Sequence, residues 1–372
     1  MIDPNPPHRG LLQTVFDRLN LDPVLFAAIV GLGAVGLLVL YSASGGNLDV
    51  VTRQGIRLGL ALLVMMAVAM VPPQLLYQWT PFVYVVVVVM LLLVPLTGST
   101  GKGATRWLDI GIVRFQPAEL MKIAMPMMIA FYFAERRLRP RFRELMVALA
   151  LVLVPTFVIF IQPDLGTALL IATAGLTVIF LAGIPWRTVM LTMLGGIAAL
   201  PVLWHFMKPY QRRRVDTFLH PENDPLGAGY HIIQSKIALG AGGLSGRGWL
   251  NGSQTQLDFL PEQTTDFIFS VFGEEFGLWG VLLLFTLYLL IVLRGFFIAW
   301  HAQDTYTRLL AASITMIFFT YFFVNVGMVS GLLPVVGVPL PLISYGGSSM
   351  VTIMVGFGIL MAIHSEKRLL SK

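Results

Sequence analysis

Residues 81–97 read PFVYVVVVVMLLLVPLT, a run without one charged side chain and with valine at every position from Val85 to Val89. A helix made of it is apolar all round, which suits lipid on every side better than a half-buried face on a soluble core. Residues 281–293, VLLLFTLYLLIVL, are of the same kind. The whole chain agrees: of its 372 residues only 12% are charged and 56% are hydrophobic. Ordinary soluble domains carry about 25% charged residues. Mean hydropathy is +0.80. A soluble fold of this length needs a polar shell that is missing here. The fold class is therefore all-α, a polytopic membrane protein.

At about 20 apolar residues per crossing, spans fall near 24–42, 55–72, 80–97, 117–134, 145–162, 164–183, 187–206, 267–293, 307–329 and 345–363. That gives about ten transmembrane helices in a single domain, 1–372, with one long extracytoplasmic loop at 207–266. The turn at Gln162, Pro163 and Asp164 is tight, and fusing its two spans would invert everything after it. Residues 1–22 lack the basic start and short apolar core of a secretory leader, so the first run is expected to remain as a span. Positive charge sets the orientation. Arg136, Arg137, Arg139, Arg141, Arg143, Arg187, Arg294, Arg308 and Lys367 gather on the side of the termini, against Arg53, Arg57, Lys102, Arg106 and Arg114 on the other. Both termini are thus expected in the cytoplasm and the long loop outside. The sequence pI is about 9.6, but the bases are scattered over loops and span ends. Anionic lipid headgroups, not nucleic acid, are the expected counterparts. With no cysteine there is neither a disulfide framework nor a thiolate metal site.

Ionisable groups concentrate in residues 207–266. Asp266 ends that loop where a span begins. It reads either as an acid favoured at a helix N-terminus or as a partly desolvated carboxylate suited to general-base work. Glu274 and Glu275 lie further along the same span. Glu119 and Lys122 stand i, i+3 on the fourth span, where they either neutralise each other or line a polar cavity. Lys102, Arg106 and Trp107, in a glycine-bearing outer segment, suit a phosphate headgroup. Arg212, Arg213 and Arg214 admit the same reading or that of a solvated basic face. Gly240–Gly243 and Gly246–Gly248 lack the lysine of a phosphate-binding loop and read as flexible re-entrant backbone. Asp164 reads as a helix N-cap, and nothing in the sequence spacing pairs His231 as a metal ligand. No His, Asp or Glu spacing makes a metal site. Trp79, Trp107, Trp186, Trp204 and Trp300 fall at or near span ends, as an interfacial belt does.

The last outer segment, NVGMVSGLLPVVGVPLPLISYGGSS from Asn325 to Ser349, is broken by proline and glycine, tolerable in lipid only where buried or lining a cavity. Its pattern resembles the signature of the SEDS family (shape, elongation, division and sporulation proteins). KGATRWLDIGIVRFQPAELMKIA from Lys102, QPDLGT from Gln162, DPLGAGYHIIQSKIALGAGGLSGRGW from Asp224 and FLPEQTTDFIFSVFGEEFG from Phe259 follow in family order. The short termini resemble the elongation member more than the division member.

The resemblance implies a peptidoglycan glycosyltransferase. It would polymerise lipid II into β-1,4 glycan strands outside the bacterial inner membrane, release undecaprenyl pyrophosphate, and partner a class B penicillin-binding protein. Asp266 matches the family's essential acid, Glu119 and Lys122 its membrane charge pair, and Trp107 the aromatic at the cavity rim. Lipid II and the nascent glycan would then be bound by Lys102, Arg106, Trp107, Glu119, Lys122 and the Arg212–Arg214 cluster. No cofactor is required by the sequence. A divalent cation, Mg2+ or Mn2+, is an alternative way to stabilise phosphate charge, with Asp266 or Glu119 as ligand. The rival activities are lipid II flipping and a non-catalytic scaffold for the transpeptidase.

Overall fold

The computed structural model describes residues 19–101, 104–109, 114–136, 140–162, 164–184, 186–207, 209–224, 227–257, 259–260 and 262–370. Helices dominate, and their starts follow local chemistry. Helix α1 (Pro23–Ala43) has Pro23 in its first turn and Asp22 as its cap. Asn47 caps α2 (Leu48–Ala69). Helix α3 (Pro73–Thr97) keeps Pro81 and Pro95 inside it. Then come three short antiparallel strands in the order β1 (Ser99–Gly101), β2 (Ala104–Asp109), β3 (Arg114–Phe115), a small sheet the sequence reading does not anticipate. Next are α4 (Pro117–Ala134), α5 (Phe142–Ile161), α6 (Leu165–Leu181) and α7 (Trp186–Phe206). Helices α5 and α6 are separate, with Asp164 capping α6.

Among the described residues seven helices are long and apolar enough to cross a bilayer: α1, α2, α3, α5 and three that follow, α11 (Ile268–Trp300), α12 (Thr305–Val329) and α13 (Ser348–Leu370). Helix α4 carries Glu119 and Lys122, α6 has only 17 residues, and part of α7's side chains lie outside the described set. The molecule is a multi-pass helical membrane protein. Trp186 opens α7 and Trp300 closes α11, both exposed.

Much of residues 207–266, expected as loop, is helical: α8 (Pro209–Leu219), a 3-10 turn (Pro221–Asn223), α9 (Ala228–Gly242) and α10 (Ser253–Gln256). Two of the glycines read as flexible, Gly242 and Gly246, are instead close-packed on backbone, while Gly240 and Gly243 have open space beside them. A Cβ on Gly242 would lie 2.1 Å from the Gly273 carbonyl oxygen, so α9 rides directly on the backbone of α11.

Helix α11 also departs from the expected span near 267–293. Its 33 residues run to about 50 Å at 1.5 Å each, against a hydrocarbon core of about 30 Å. It breaks at Gly277, whose φ of 62° is left-handed. The adjoining turn seals the break. Leu278 and Trp279 donate to the carbonyls of Gly243 and Leu244 at 3.0 and 3.2 Å, while Arg247 and Gly248 donate to those of Glu274 and Glu275 at 3.0 Å. Glu274 accepts from Ser253 Oγ and the Gln254 N–H at 3.0 Å. Glu275 accepts from Ser42 Oγ and from the Leu250 N–H. The two buried acids therefore bind the turn to the broken helix.

The bundle has two chemically distinct ends. At one, Arg294 grips the fully buried Asp22 in a fork (Nη2 to Oδ2 2.6 Å), and His364 Nε2 lies 3.2 Å from the same oxygen. Burial pushes the Asp22 carboxyl up, but the hydrogen bonds from Arg294 and the Leu25 N–H, with the charges of His364 and Arg294, outweigh it. The net result is a carboxyl below its usual range. Asp266 lies at the other end, at the far terminus of α11.

Candidate active site

Asp266 stands one residue before Phe267, which takes the N-cap position of α11. The acid is thus outside the helix, in a tight turn. The Glu262 carbonyl closes that turn by accepting from the N–H groups of Thr265 and Phe267 at 3.0 and 3.3 Å. Three successive residues of the turn are stapled to α12 and the broken segment after it. The Thr264 carbonyl accepts from the Tyr345 N–H at 2.9 Å, and the Thr265 carbonyl from Ser344 Oγ at 2.6 Å. The Asp266 carbonyl accepts from Asn325 Nδ2 at 2.8 Å. Asn325 is fully buried and gives its second amide hydrogen to the Val338 carbonyl, also at 2.8 Å. The carboxylate faces Gly337, where a Cβ would stand 3.4 Å from Oδ2 and φ is +74°.

Glu119 and Lys122 meet as their spacing predicts, Nζ to Oε1 at 2.7 Å, and both are buried. Lys122 also donates to the Tyr321 hydroxyl. Glu119 Oε2 is buried and, among the described residues, has no hydrogen-bond partner. A pocket of about 20 Å3 beside Lys122 and Tyr321 has room for about one water. Tyr321 and Asn325 are four residues apart on α12, hence about 6 Å along one face. One turn of α12 therefore holds the charge pair with one side chain and the Asp266 backbone with the next.

Arg106 and Trp107 lie on β2, both half-buried. Arg106 Nε reaches Asp164 Oδ2 at 3.7 Å. Gln116 Nε2 donates to that oxygen at 3.0 Å, while Oδ1 caps α6 through the Thr167 N–H at 3.2 Å. Asp164 is the cap its sequence suggested and also the counter-ion of a candidate phosphate ligand. The cap signal hid the second role. Tyr321 had no signal beyond a place on an apolar helix, whereas Asn325 was visible as a lone amide opening the proline- and glycine-broken motif.

The arginine cluster serves its own neighbourhood. Arg212 donates to the carbonyls of Trp204 and His205 at 3.1 and 2.7 Å, covering the end of α7. Arg213, largely exposed, pairs with Asp224 at 3.3 Å. Lys102 and the side chain of Arg214 lie outside the described residues. No three His, Cys, Asp or Glu side chains gather as a metal site among the described residues, and Lys122 neutralises Glu119.

The sequence matches the family model described as "Cell cycle protein", the FtsW/RodA/SpoVE model, over residues 23–369. It is 48% identical over 361 residues to the peptidoglycan glycosyltransferase MrdB of Escherichia coli strain K12, covering 97% of this chain and 98% of that one. It is 32% identical to the peptidoglycan glycosyltransferase RodA of Treponema pallidum, over 94% of this chain and 98% of the relative. The Thermus thermophilus rod shape determining protein RodA superposes with a TM-score of 0.71 at 27% identity, covering 93% of this chain and 97% of that one. A chain from a peptidoglycan synthase complex described as coordinating polymerization and crosslinking superposes at 0.82 and 30% identity, covering 93% of this chain and 98% of that one. The chain belongs to the FtsW/RodA/SpoVE family, as the SEDS resemblance implied.

Proposed function

We propose that this protein is a peptidoglycan glycosyltransferase, one membrane domain polymerising lipid II at the outer face of the bacterial inner membrane during elongation and rod-shape maintenance. The named activity of its relatives supports the reaction class. The observation that carries the site is the single turn of α12 whose Tyr321 and Asn325 hold Lys122 and the Asp266 backbone. Lysine- and arginine-rich short segments at the Asp22 end support cytoplasmic termini and an outward-facing Asp266.

Lipid II is α-linked through pyrophosphate and the polymer is β-1,4, so the transfer inverts C1 of the donor MurNAc. Asp266 takes the proton of the acceptor GlcNAc 4-hydroxyl as its oxygen bonds to that C1. The C1–O bond to pyrophosphate breaks, and undecaprenyl pyrophosphate leaves with the electron pair. Lys122 and Arg106 stabilise the developing phosphate charge. Glu119 holds Lys122 in place, and its second oxygen accepts from a substrate hydroxyl or a water. Trp107 sits at the rim. The Arg212–Arg214 cluster, occupied within its own loop, acts on approach rather than at the reacting bond. The partner is a class B penicillin-binding transpeptidase, a reading supported by the likeness to the synthase-complex chain.

The test is polymerisation of labelled lipid II by the purified protein, alone and with its transpeptidase. Glycan strands are expected. Failure to polymerise with the partner present, together with transfer of lipid II across vesicle bilayers, would replace the reading with lipid II flipping.

A further inference from the structure

Beside the Asp266 turn, on the same end of the bundle, lies a groove of about 670 Å3 between the α1–α2 turn and residues 255–264. We propose that this groove is a saccharide subsite that holds the N-acetylated glycan next to the reaction centre. The inference rests on the glycosyltransferase reading.

The chemistry of the walls selects the ligand. Ser44, Gln256, Glu262, Gln263 and Thr264 line the groove, with Val50 on the α2 side. Hydroxyls, side-chain amides and one carboxylate are the donors and acceptors that match sugar hydroxyls and acetamido groups. Among the described residues no lysine or arginine lines the groove, so it does not suit pyrophosphate. Ala43, Val50 and Leu260 are its apolar lining, too little apolar surface beside the polar groups to suit a polyprenyl tail. The volume is within the roughly 300–1,000 Å3 of small-ligand sites.

Position ties the groove to the acid. Glu262, in its wall, is the residue whose carbonyl closes the Asp266 turn. It does so at φ 55°, a left-handed conformation costly for a side-chain-bearing residue. The Thr265 hydroxyl lies within hydrogen-bond reach of both its carbonyl oxygen, at 3.2 Å, and its carboxylate, at 2.8 Å. Thr264, also in the wall, is two residues from Asp266, at most about 7 Å between Cα atoms. The Glu262–Thr264 part of the wall and the acid thus belong to one hydrogen-bonded turn, so a glycan held there stays in register with the acid between additions.

The experiment uses full-length protein in detergent and a soluble β-1,4-linked N-acetylglucosamine tetramer. Wild type and Asp266→Asn are expected to bind the tetramer alike. Val50→Trp, which fills the groove, should weaken binding at least ten-fold. Gln256→Ala, an exposed position safe for folding, should weaken it about five-fold, one lost hydrogen bond. With lipid II as substrate, both groove variants should yield shorter glycan strands than wild type. No tetramer binding by wild type, or binding and strand length indifferent to both groove variants, would overturn the subsite. Wild type that binds the tetramer in a Val50-dependent way yet never polymerises would sink the glycosyltransferase reading and leave the saccharide site standing.

Discussion

Removing Lys122 alone should damage folding and function together, and removing its partner as well should separate them. The ammonium lies 2.7 Å from Glu119 Oε1, with both residues over nine-tenths buried. Breaking such a pair leaves an uncompensated buried charge, at a cost of about 3–5 kcal/mol. Lys122→Met should therefore lower stability by about that much, because Glu119 then has no counter-charge and a second oxygen already without a partner. Glu119→Gln with Lys122→Met removes both charges in shapes close to the originals, and should return to within about 1 kcal/mol of wild type. Polymerisation should not return. A cation lost from the developing pyrophosphate costs about 100-fold or more, near 2.7 kcal/mol of barrier. The assay is thermal melting of the four proteins of the cycle in one detergent, beside initial rates of lipid II polymerisation. A double variant polymerising at the wild-type rate would refute the reasoning and leave the pair a purely structural device.

Other perturbations test the frame around the acid. Asn325→Ala strands the carbonyls of Asp266 and Val338 and should cost about 1–3 kcal/mol for each. By letting Asp266 drift it should also lower kcat about 100-fold with little change in KM, measured by initial rates at saturating and limiting lipid II. At the opposite end, the Asp22 carboxyl is held below its usual range, so its stabilisation is complete above about pH 4. That stabilisation is lost as pH falls through the lowered value. Melting of Asp22→Asn against wild type should show a wide gap at pH 7 that narrows below pH 4. Gly246→Ala would put a Cβ 2.1 Å from the Glu275 carbonyl at a φ of +76°. It should destabilise the seal on broken α11 by more than about 1 kcal/mol, read as faster proteolysis of residues 243–257.

Helix formation was legible because stretches such as residues 81–97 are apolar on every side and leave the chain no other way to satisfy its backbone in lipid. Glu119 and Lys122 were legible as a pair because helical spacing alone brings them together. What did not show was tertiary. Nothing in the spacing of Gly240–Gly248 says that Gly242 and Gly246 mark close approach to α11 rather than flexibility, since both needs select the same residue. Asp164 gave a cap signal that its structure satisfies, and that local explanation concealed Arg106, more than fifty residues away. Tyr321 and Asn325 act across the bundle, and a hydrophobic pattern carries no record of such contacts. The β1–β2 hairpin lies in a segment read as a glycine-bearing outer loop, and so short a hairpin leaves no periodicity to distinguish it from one.

The central claim is that the Asp266 carboxylate does the chemistry, and the structure makes it separable from folding. Asn325 binds the backbone carbonyl of Asp266, so Asp266→Asn keeps that bond while removing the base. The measurement is the initial rate of glycan formation from labelled lipid II, with the cognate transpeptidase present, for wild type and Asp266→Asn of matched melting temperature. A fall of about 10²–10⁴-fold is expected, the usual contribution of a positioned base. A variant that folds and polymerises within ten-fold of wild type would contradict the account.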